Sequence, residues 1–254
     1  CGAPLKSMGA YHAFQLLDGR VPNACLTHIV EPWYFQDASK GKPGRLEFDE
    51  WKAEHESKAG AKFYGTVSEV PKPTNQDEIR LVVISARTAD NPKLLKDSIE
   101  HLSCQAVYLE KPGAPTVTEL EEMRDAAKSA GVKVFLGFNK NVSSYLNRTR
   151  AYAESATTKC DVTFLHNNNY QNTPAELAEC FERNAEGMLK NMAIHELAIL
   201  VTYYGVTVDG ISKVEADKEF SSMQTLQGPS TGKDFTDFDK LKFKIVTKAG
   251  AEIN

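Results

Sequence analysis

No uninterrupted apolar stretch of the chain reaches the roughly 18 residues that a membrane-crossing helix needs, so membrane insertion is not expected. Positive charge is not in excess either. With 30 Lys and Arg against 34 Asp and Glu, the formal net charge is −4, which gives no electrostatic footprint for nucleic acid or anionic lipid. Cysteine is scarce and unpatterned: residues 1, 25, 104, 160 and 180, with no Cys-x-x-Cys. Scattered thiols in odd number suit a reducing compartment, the cytoplasm or an organelle lumen, better than a disulfide framework. No cluster of His, Cys or carboxylates has metal-ligand spacing, so no metal is expected. Internal repeats and low-complexity segments are absent. The first residue is Cys1, no targeting segment is visible, and Ile253-Asn254 follows directly on an apparent strand. The expectation is the interior of a longer protein.

The remainder reads as an ordinary globular composition, 41% hydrophobic and 25% charged, at a length that prefers two domains. Apolar runs at 81–85 and 106–109 have the look of buried parallel strands. Residues 48–58 and 91–102 have helical spacing, and 61–64 suits a short strand. Thr118, with Glu121 three residues on, is expected to cap a helix whose stripe is Leu120, Met123, Ala127 and Ala130 and whose stop is Gly131. A strand at 133–137 follows. Beyond Phe138 come an expected helix at 144–154, a strand at 160–166, a polar stretch and a long helix over 182–204 stopped by Gly205. Strands at 214–220, 222–226 and 241–248 suggest an antiparallel sheet with one wet face.

Chemistry concentrates at the end of strand 106–109, where Glu110-Lys111-Pro112 sets a lysine at the carboxyl edge of a parallel sheet, the edge at which ligands bind. A lysine there can hydrogen-bond a substrate hydroxyl and stabilise a developing alkoxide; the alternative is an exposed surface lysine. Followed at the right distance by a helix and by Gly137-Phe138-Asn139, this motif resembles the glucose–fructose oxidoreductase / inositol dehydrogenase / rhizopine-catabolism (Gfo/Idh/MocA) family of nicotinamide-dependent sugar dehydrogenases. Two further matches, at the start of the chain and around His195, extend the resemblance over nearly its whole length.

The resemblance implies an α/β fold in two parts. Residues 1–137 would form a Rossmann-type doubly wound parallel sheet, N-terminally truncated so that its central first strand is missing. Residues 138–254 would form a C-terminally truncated α+β domain for substrate and dimerisation, with a mainly antiparallel sheet. Gly2 and Gly9 correspond to the family's Gly-rich entry, with a longer insert between them, and would let backbone approach a pyrophosphate. His12, which follows, is expected to pack or cap. Glu31, ending the apolar run 24–30, would bind the adenosine ribose and repel a 2′-phosphate, favouring NAD over NADP; a solvated strand-end acid is the alternative. Glu110 and Lys111 complete the cofactor-binding set. The family's Thr-Pro and His after strand 81–85 are replaced here by 85–91, which includes Arg87.

His195 lies in a segment resembling the family's Asp-x-x-x-His-x-x-Asp helix, where a neutral imidazole can accept the hydroxyl proton. A packed helix histidine is the competing reading. The family's first aspartate is Asn191 here and its second is Ala198. Asn191 would share a helix face with His195 and can hydrogen-bond, but it cannot take a proton or hold an imidazolium by charge. Asn139 and Lys140 are expected to border substrate together with Asn191 and His195. His166 and Asn167, Asn168 and Asn169 could contact a polyol or belong to a solvated loop.

Two functions follow. The first is an NAD(P)-dependent oxidoreductase acting on a sugar, cyclitol or related hydroxy compound, with Lys111, His195 and Asn191 at the reacting centre. The second, prompted by Asn191 and Ala198, is a catalytically impaired member serving as a nucleotide-binding or scaffolding subunit of a larger assembly. Self-association is expected in either case.

Overall fold

The computed structural model describes residues 7–75, 77–158, 173–183, 187 and 189–253. The chain divides into two compact units at Gly137/Phe138. In the first unit, α1 (Met8–Leu17) is started by Ser7, whose hydroxyl accepts the Ala10 N–H at 3.2 Å. There follow β1 (His28–Val30), α2 (Arg45–Lys58), β2 (Lys62–Tyr64), β3 (Leu81–Ile84), α3 (Asn91–Leu102), β4 (Ala106–Leu109), α4 (Val117–Ser129) and β5 (Lys133–Leu136). Strands β1 and β2 pair in parallel, Ile29 opposite Phe63, while β3, β4 and β5 form a second parallel sheet in that order. Helices α2, α3 and α4 are the crossovers that parallel pairing requires.

Each sheet has its own core. Ile29, Phe48, Trp51, Phe63 and Ala13 bury together against the first, with the Tyr34 and Phe48 rings stacked at 4.8 Å. Ile84, Leu95, Val107, Leu109 and Met123 bury together against the second. The expectation that 81–85 is a fully buried strand needs correction. Only Ile84 is buried and Leu81 is 53% exposed. Among the described residues β3 is hydrogen-bonded on one side alone, to β4, so its start faces solvent. The α4 cap also differs from expectation. Thr116, rather than Thr118, accepts the Glu119 N–H, and Glu119 reaches back to the Thr116 N–H, closing the box two residues earlier. Both Thr-x-x-Glu pairs satisfy the pattern. Starting at Thr116 puts Met123 and Ala127 on the buried face and leaves Ala130 as the exposed C-cap.

The second unit contains α5 (Ser144–Ser155), α6 (Pro174–Arg183), a single π-helical turn (Leu189–Ala193), α7 (Ile194–Tyr204), and strands β6 (Ile211–Ala216), β7 (Ser222–Gln227), β8 (Asp234–Lys240), β9 (Phe243–Thr247) and β10 (Glu252–Ile253). The continuous helix expected over 182–204 is therefore broken: α6 ends at Arg183, and α7 starts only after the π turn. Gly205, at φ +64°, is the stop that was expected. Strands β10, β9 and β6 form an antiparallel sheet in that order, and β7 and β8 form an antiparallel hairpin. β6 ends earlier than expected because the Asp217 side chain accepts the N–H groups of Glu219 and Phe220 and turns the chain. The strand expected at 160–166 lies outside the described residues. Among the described residues no helix is long and apolar enough to cross a membrane.

Candidate active site

The Glu110-Lys111-Pro112 turn leaves the carboxyl end of β4. The Lys111–Pro112 bond is cis, and Pro112, Gly113 and Ala114 are buried while Lys111 is half-buried. Gly113 has φ +94°, and a Cβ there would lie 2.8 Å from Leu120 Cδ2 and 3.1 Å from Leu136 Cδ1. A left-handed backbone in that little space admits only glycine. The turn is also tied to α3: Asn91, 1% exposed, donates its side-chain amide to the Gly113 carbonyl at 2.9 Å. The amide oxygen of Asn91 is buried without a hydrogen-bond partner. Arg87, the unexpected residue of this stretch, points to solvent and pairs with Asp90 at 2.9 Å.

The Glu110 carboxylate turns toward α1, where His12 Nε2 lies 2.7 Å from Glu110 Oε1. A carboxylate only accepts, so Nε2 carries the proton. The Tyr108 ring meets the imidazole edge-on at 5.1 Å. Burial pushes the Tyr108 hydroxyl above its ordinary pKa, and the charge of Glu110 and a hydrogen bond to it add to the shift. Gly137 leaves room for this pair, since a Cβ there would sit 2.8 Å from the Tyr108 hydroxyl and 3.2 Å from Glu110 Oε2.

Glu31 follows β1 directly and is 5% exposed, so it is not a solvated strand-end acid. Its carboxylate accepts the Trp33 N–H at 3.1 Å, and its own N–H donates to the Tyr64 carbonyl. Gly9 is the second residue of α1, in helical backbone that any residue adopts, so a positive φ is not the reason for glycine there. Gly2 lies outside the described residues, as do His166, Asn167, Asn168 and Asn169.

In the second unit the segment after Phe138 docks along α7. Lys140 forms an ion pair with Glu196, Asn141 donates its amide to Thr202 Oγ1 at 2.8 Å, and the Tyr203 hydroxyl donates to the Asn141 carbonyl. Asn139 is exposed. His195 is half-buried on α7, its ring edge-on to Phe138 at 6.3 Å. Asn191, 8% exposed, sits in the π turn, where its backbone and side-chain N–H groups both donate to the Gly187 carbonyl, at 3.1 and 3.4 Å. The four-residue spacing to His195 thus crosses a junction between π and α geometry, rather than following one regular α-helical face. Such turns recur at functional sites. A cleft of about 390 Å³ in this unit is lined mainly by apolar residues of the π turn, α7 and β8; neither Asn191 nor His195 borders it. Among the described residues no three His, Cys, Asp or Glu could hold a metal ion together.

Lys111 belongs to the first unit and Asn191, His195, Asn139 and Lys140 to the second. The residues that sequence reading missed are Tyr108, Asn91 and the pairing of His12. Asn91 carries a weak signal as a polar residue opening an apolar helix. The others carry none.

Residues 47–138 match the model of an oxidoreductase family with an NAD-binding Rossmann fold, Gfo/Idh/MocA. A search of curated protein sequences finds no match. Among solved structures, a probable dehydrogenase from Thermotoga maritima is 16% identical with a TM-score of 0.55, over 99% of this chain and 73% of that one. The WlbA dehydrogenase from Chromobacterium violaceum, in complex with NADH and UDP-GlcNAcA, is 15% identical with a TM-score of 0.58, over 96% and 62%. The transcriptional regulator Gal80p from Kluyveromyces lactis is 14% identical with a TM-score of 0.61, over 98% and 60%. At these identities the likeness is one of fold.

Proposed function

We propose, from the premise that residues 47–138 carry the NAD-binding Rossmann segment of the Gfo/Idh/MocA oxidoreductase family, that this chain belongs to an NAD-dependent dehydrogenase of a sugar, cyclitol or related hydroxy compound. The observation that carries the reading is Lys111, held at the carboxyl end of a parallel strand by a turn that Gly113 and Asn91 fix in place. That edge is where α/β sheets bind ligands.

The residues fit a dinucleotide. Glu31 is a fixed, buried carboxylate at the end of β1, suited to ribose hydroxyls and hostile to a 2′-phosphate, which supports NAD over NADP. Gly9 and the first turn of α1, with Gly2 before them, would face the pyrophosphate. Glu110 and Lys111 would border the nicotinamide side. A nicotinamide dinucleotide, when bound, supplies the hydride chemistry. His195 accepts the proton of the substrate hydroxyl through its imidazole. Lys111 donates a hydrogen bond to a substrate oxygen and stabilises its developing charge. Asn191 orients and does not ionise. Asn139 and Lys140 bind the outer hydroxyls, Lys140 keeping Glu196 as its counter-charge.

A second reading, a nucleotide-binding or scaffolding subunit, is favoured by Asn191 and Ala198 standing where the family pattern has aspartates. One titration separates the two. NAD and NADP affinities are measured by calorimetry, and polyols are screened by the absorbance of reduced cofactor. The dehydrogenase reading expects NAD to bind more tightly and at least one polyol to turn over. It also expects Lys111→Ala to lower kcat/KM on the order of a hundredfold or more, the size of a lost electrostatic stabiliser. NAD binding with no turnover, and no gain from Asn191→Asp, supports the subunit reading. Binding of neither dinucleotide overturns the assignments of Glu31, Gly2 and Gly9. Homo-oligomerisation is part of the proposal, and sedimentation velocity at two concentrations checks it.

A further inference from the structure

Helix α1 touches both parallel sheets of the first unit with different faces. Ala13, with Phe14 and Leu17 beside it, packs into the core of the β1–β2 sheet. His12, one residue earlier and about 100° round the helix, instead meets Tyr108 and Glu110 at the end of β4. The two partners are 98 residues apart in sequence, and both side chains are largely buried, at 18% and 13% exposure. A buried carboxylate without donors is costly, and here the His12 ring N–H supplies one at 2.7 Å. Glu110 is covalently followed by Lys111, and three residues on the Gly113 carbonyl is held by Asn91 of α3. The turn carrying Lys111 is thus anchored on both flanks, by α1 before it and by α3 after it.

We propose that His12 is a positioning residue: through Glu110, with the Tyr108 ring packed edge-on against the imidazole, it fixes the Lys111 turn to α1. The helix assigned to the pyrophosphate and the lysine assigned to the reacting oxygen then move as one piece. The inference rests on the dehydrogenase reading for its purpose, but not for its geometry. His12 does not touch substrate; its effect passes through Glu110. Three details require the network to be built as it is. Glycine at 137 leaves the Tyr108 hydroxyl and Glu110 Oε2 in place, since a Cβ there would approach them to 2.8 and 3.2 Å. The imidazole presents Nε2 rather than Nδ1 to the carboxylate. The Glu110 N–H donates to the Ile84 carbonyl of β3 at 2.9 Å, so the turn leaves the sheet from a fixed start and the contact with His12 bears on the residues that follow.

The test uses the full chain with His12→Leu, His12→Gln and Glu110→Gln. Amide hydrogen exchange is read at Lys111, Gly113 and Ala114, and NADH affinity by fluorescence. In His12→Leu, exchange at the turn is expected to speed up about tenfold, the equivalent of one lost charge-assisted hydrogen bond. Protection at Ala13, Phe14 and Leu17 stays, because the apolar face of α1 is untouched. His12→Gln, whose amide can still donate to Glu110, restores protection at the turn, which a purely steric role would not allow. NADH affinity falls in the Leu variant and recovers in the Gln variant. Glu110→Gln, whose amide oxygen still accepts from Nε2, is expected to loosen the turn less than His12→Leu does. Unchanged exchange at 111–114 in His12→Leu, or a Gln variant no better than the Leu variant, overturns the proposal. If the unmodified protein binds no NADH, the dehydrogenase reading fails, while the exchange data still decide the role of His12.

Discussion

Single residues decide how Lys111 is presented. Gly113 is the clearest case, because its φ of +94° and the 2.8 Å approach of Leu120 leave no room for a side chain. Gly113→Ala is expected to cost about 1–3 kcal/mol, the range for one strained left-handed residue, and chemical denaturation checks it. Asn91→Ala would leave the Gly113 carbonyl buried without its donor, at about 1–3 kcal/mol. Lys111 could be nominated from the sequence because a lysine after an apolar strand is a local pattern. His12 and Asn91 could not, since their partners are 98 and 22 residues away; a polar residue opening α3 marks Asn91 only weakly, and nothing near His12 announces its contact. For Glu31 the sequence left two environments open, and burial at 5% exposure excludes the solvated one.

At the scale of elements, starts and stops were legible to within a few residues, and the errors have physical causes. Thr116 and Thr118 present the same cap pattern, and only packing of the stripe chooses between them. Thr116→Ala is therefore expected to destabilise by about 0.5–2 kcal/mol, with the exposed Thr118→Ala staying within a few tenths, both read as shifts in thermal midpoint. In the second unit, Glu182 on α6 caps the loop between β7 and β8, accepting the N–H groups of Ser230 and Thr231 at 2.9 and 2.7 Å. Hydrogen bonding from Thr231, then from the Ser230 backbone, holds its carboxyl below the ordinary glutamate pKa. A depressed folded value means the contact stabilises above the ordinary glutamate range and is lost as pH falls through the lowered value. Amide exchange at Ser230 and Thr231 should rise on acidification through that range, and Glu182→Gln should flatten the dependence. The break between α6 and α7 was not legible. The apolar spacing continues through it, and a π turn differs from an α turn by one inserted residue, which composition does not reveal.

For the whole molecule, the division into two compact units at Gly137/Phe138 implies separable responses to ligand. If residues of the first unit bind NAD, saturation at about a hundred times Kd should add about 2.7 kcal/mol to its stability. Hydrogen exchange should then slow across 7–137 and much less across 138–253. Equal protection of both units would argue against a dinucleotide site confined to the first. Leu95→Ala, at 1% exposure in the second core of that unit, should cost about 2–5 kcal/mol. Its effect should fall on α3, β3 and β4 before it reaches the β1–β2 sheet.

The alternation of short apolar runs with capped helices determined, without coordinates, a parallel α/β unit followed by antiparallel strands, because periodicity and caps are short-range properties of the chain. The match of residues 47–138 to an NAD-binding Rossmann family model bears out the first part, and the antiparallel pairing among strands β6 to β10 the second. The tertiary structure alone decided that the β3 start lies open, that Glu31 is buried, that Glu110 faces His12, and that Asn191 sits in a π turn. Each of these depends on which distant segment fills the neighbouring space. Local sequence sets a residue's conformational preference, and only packing sets its environment.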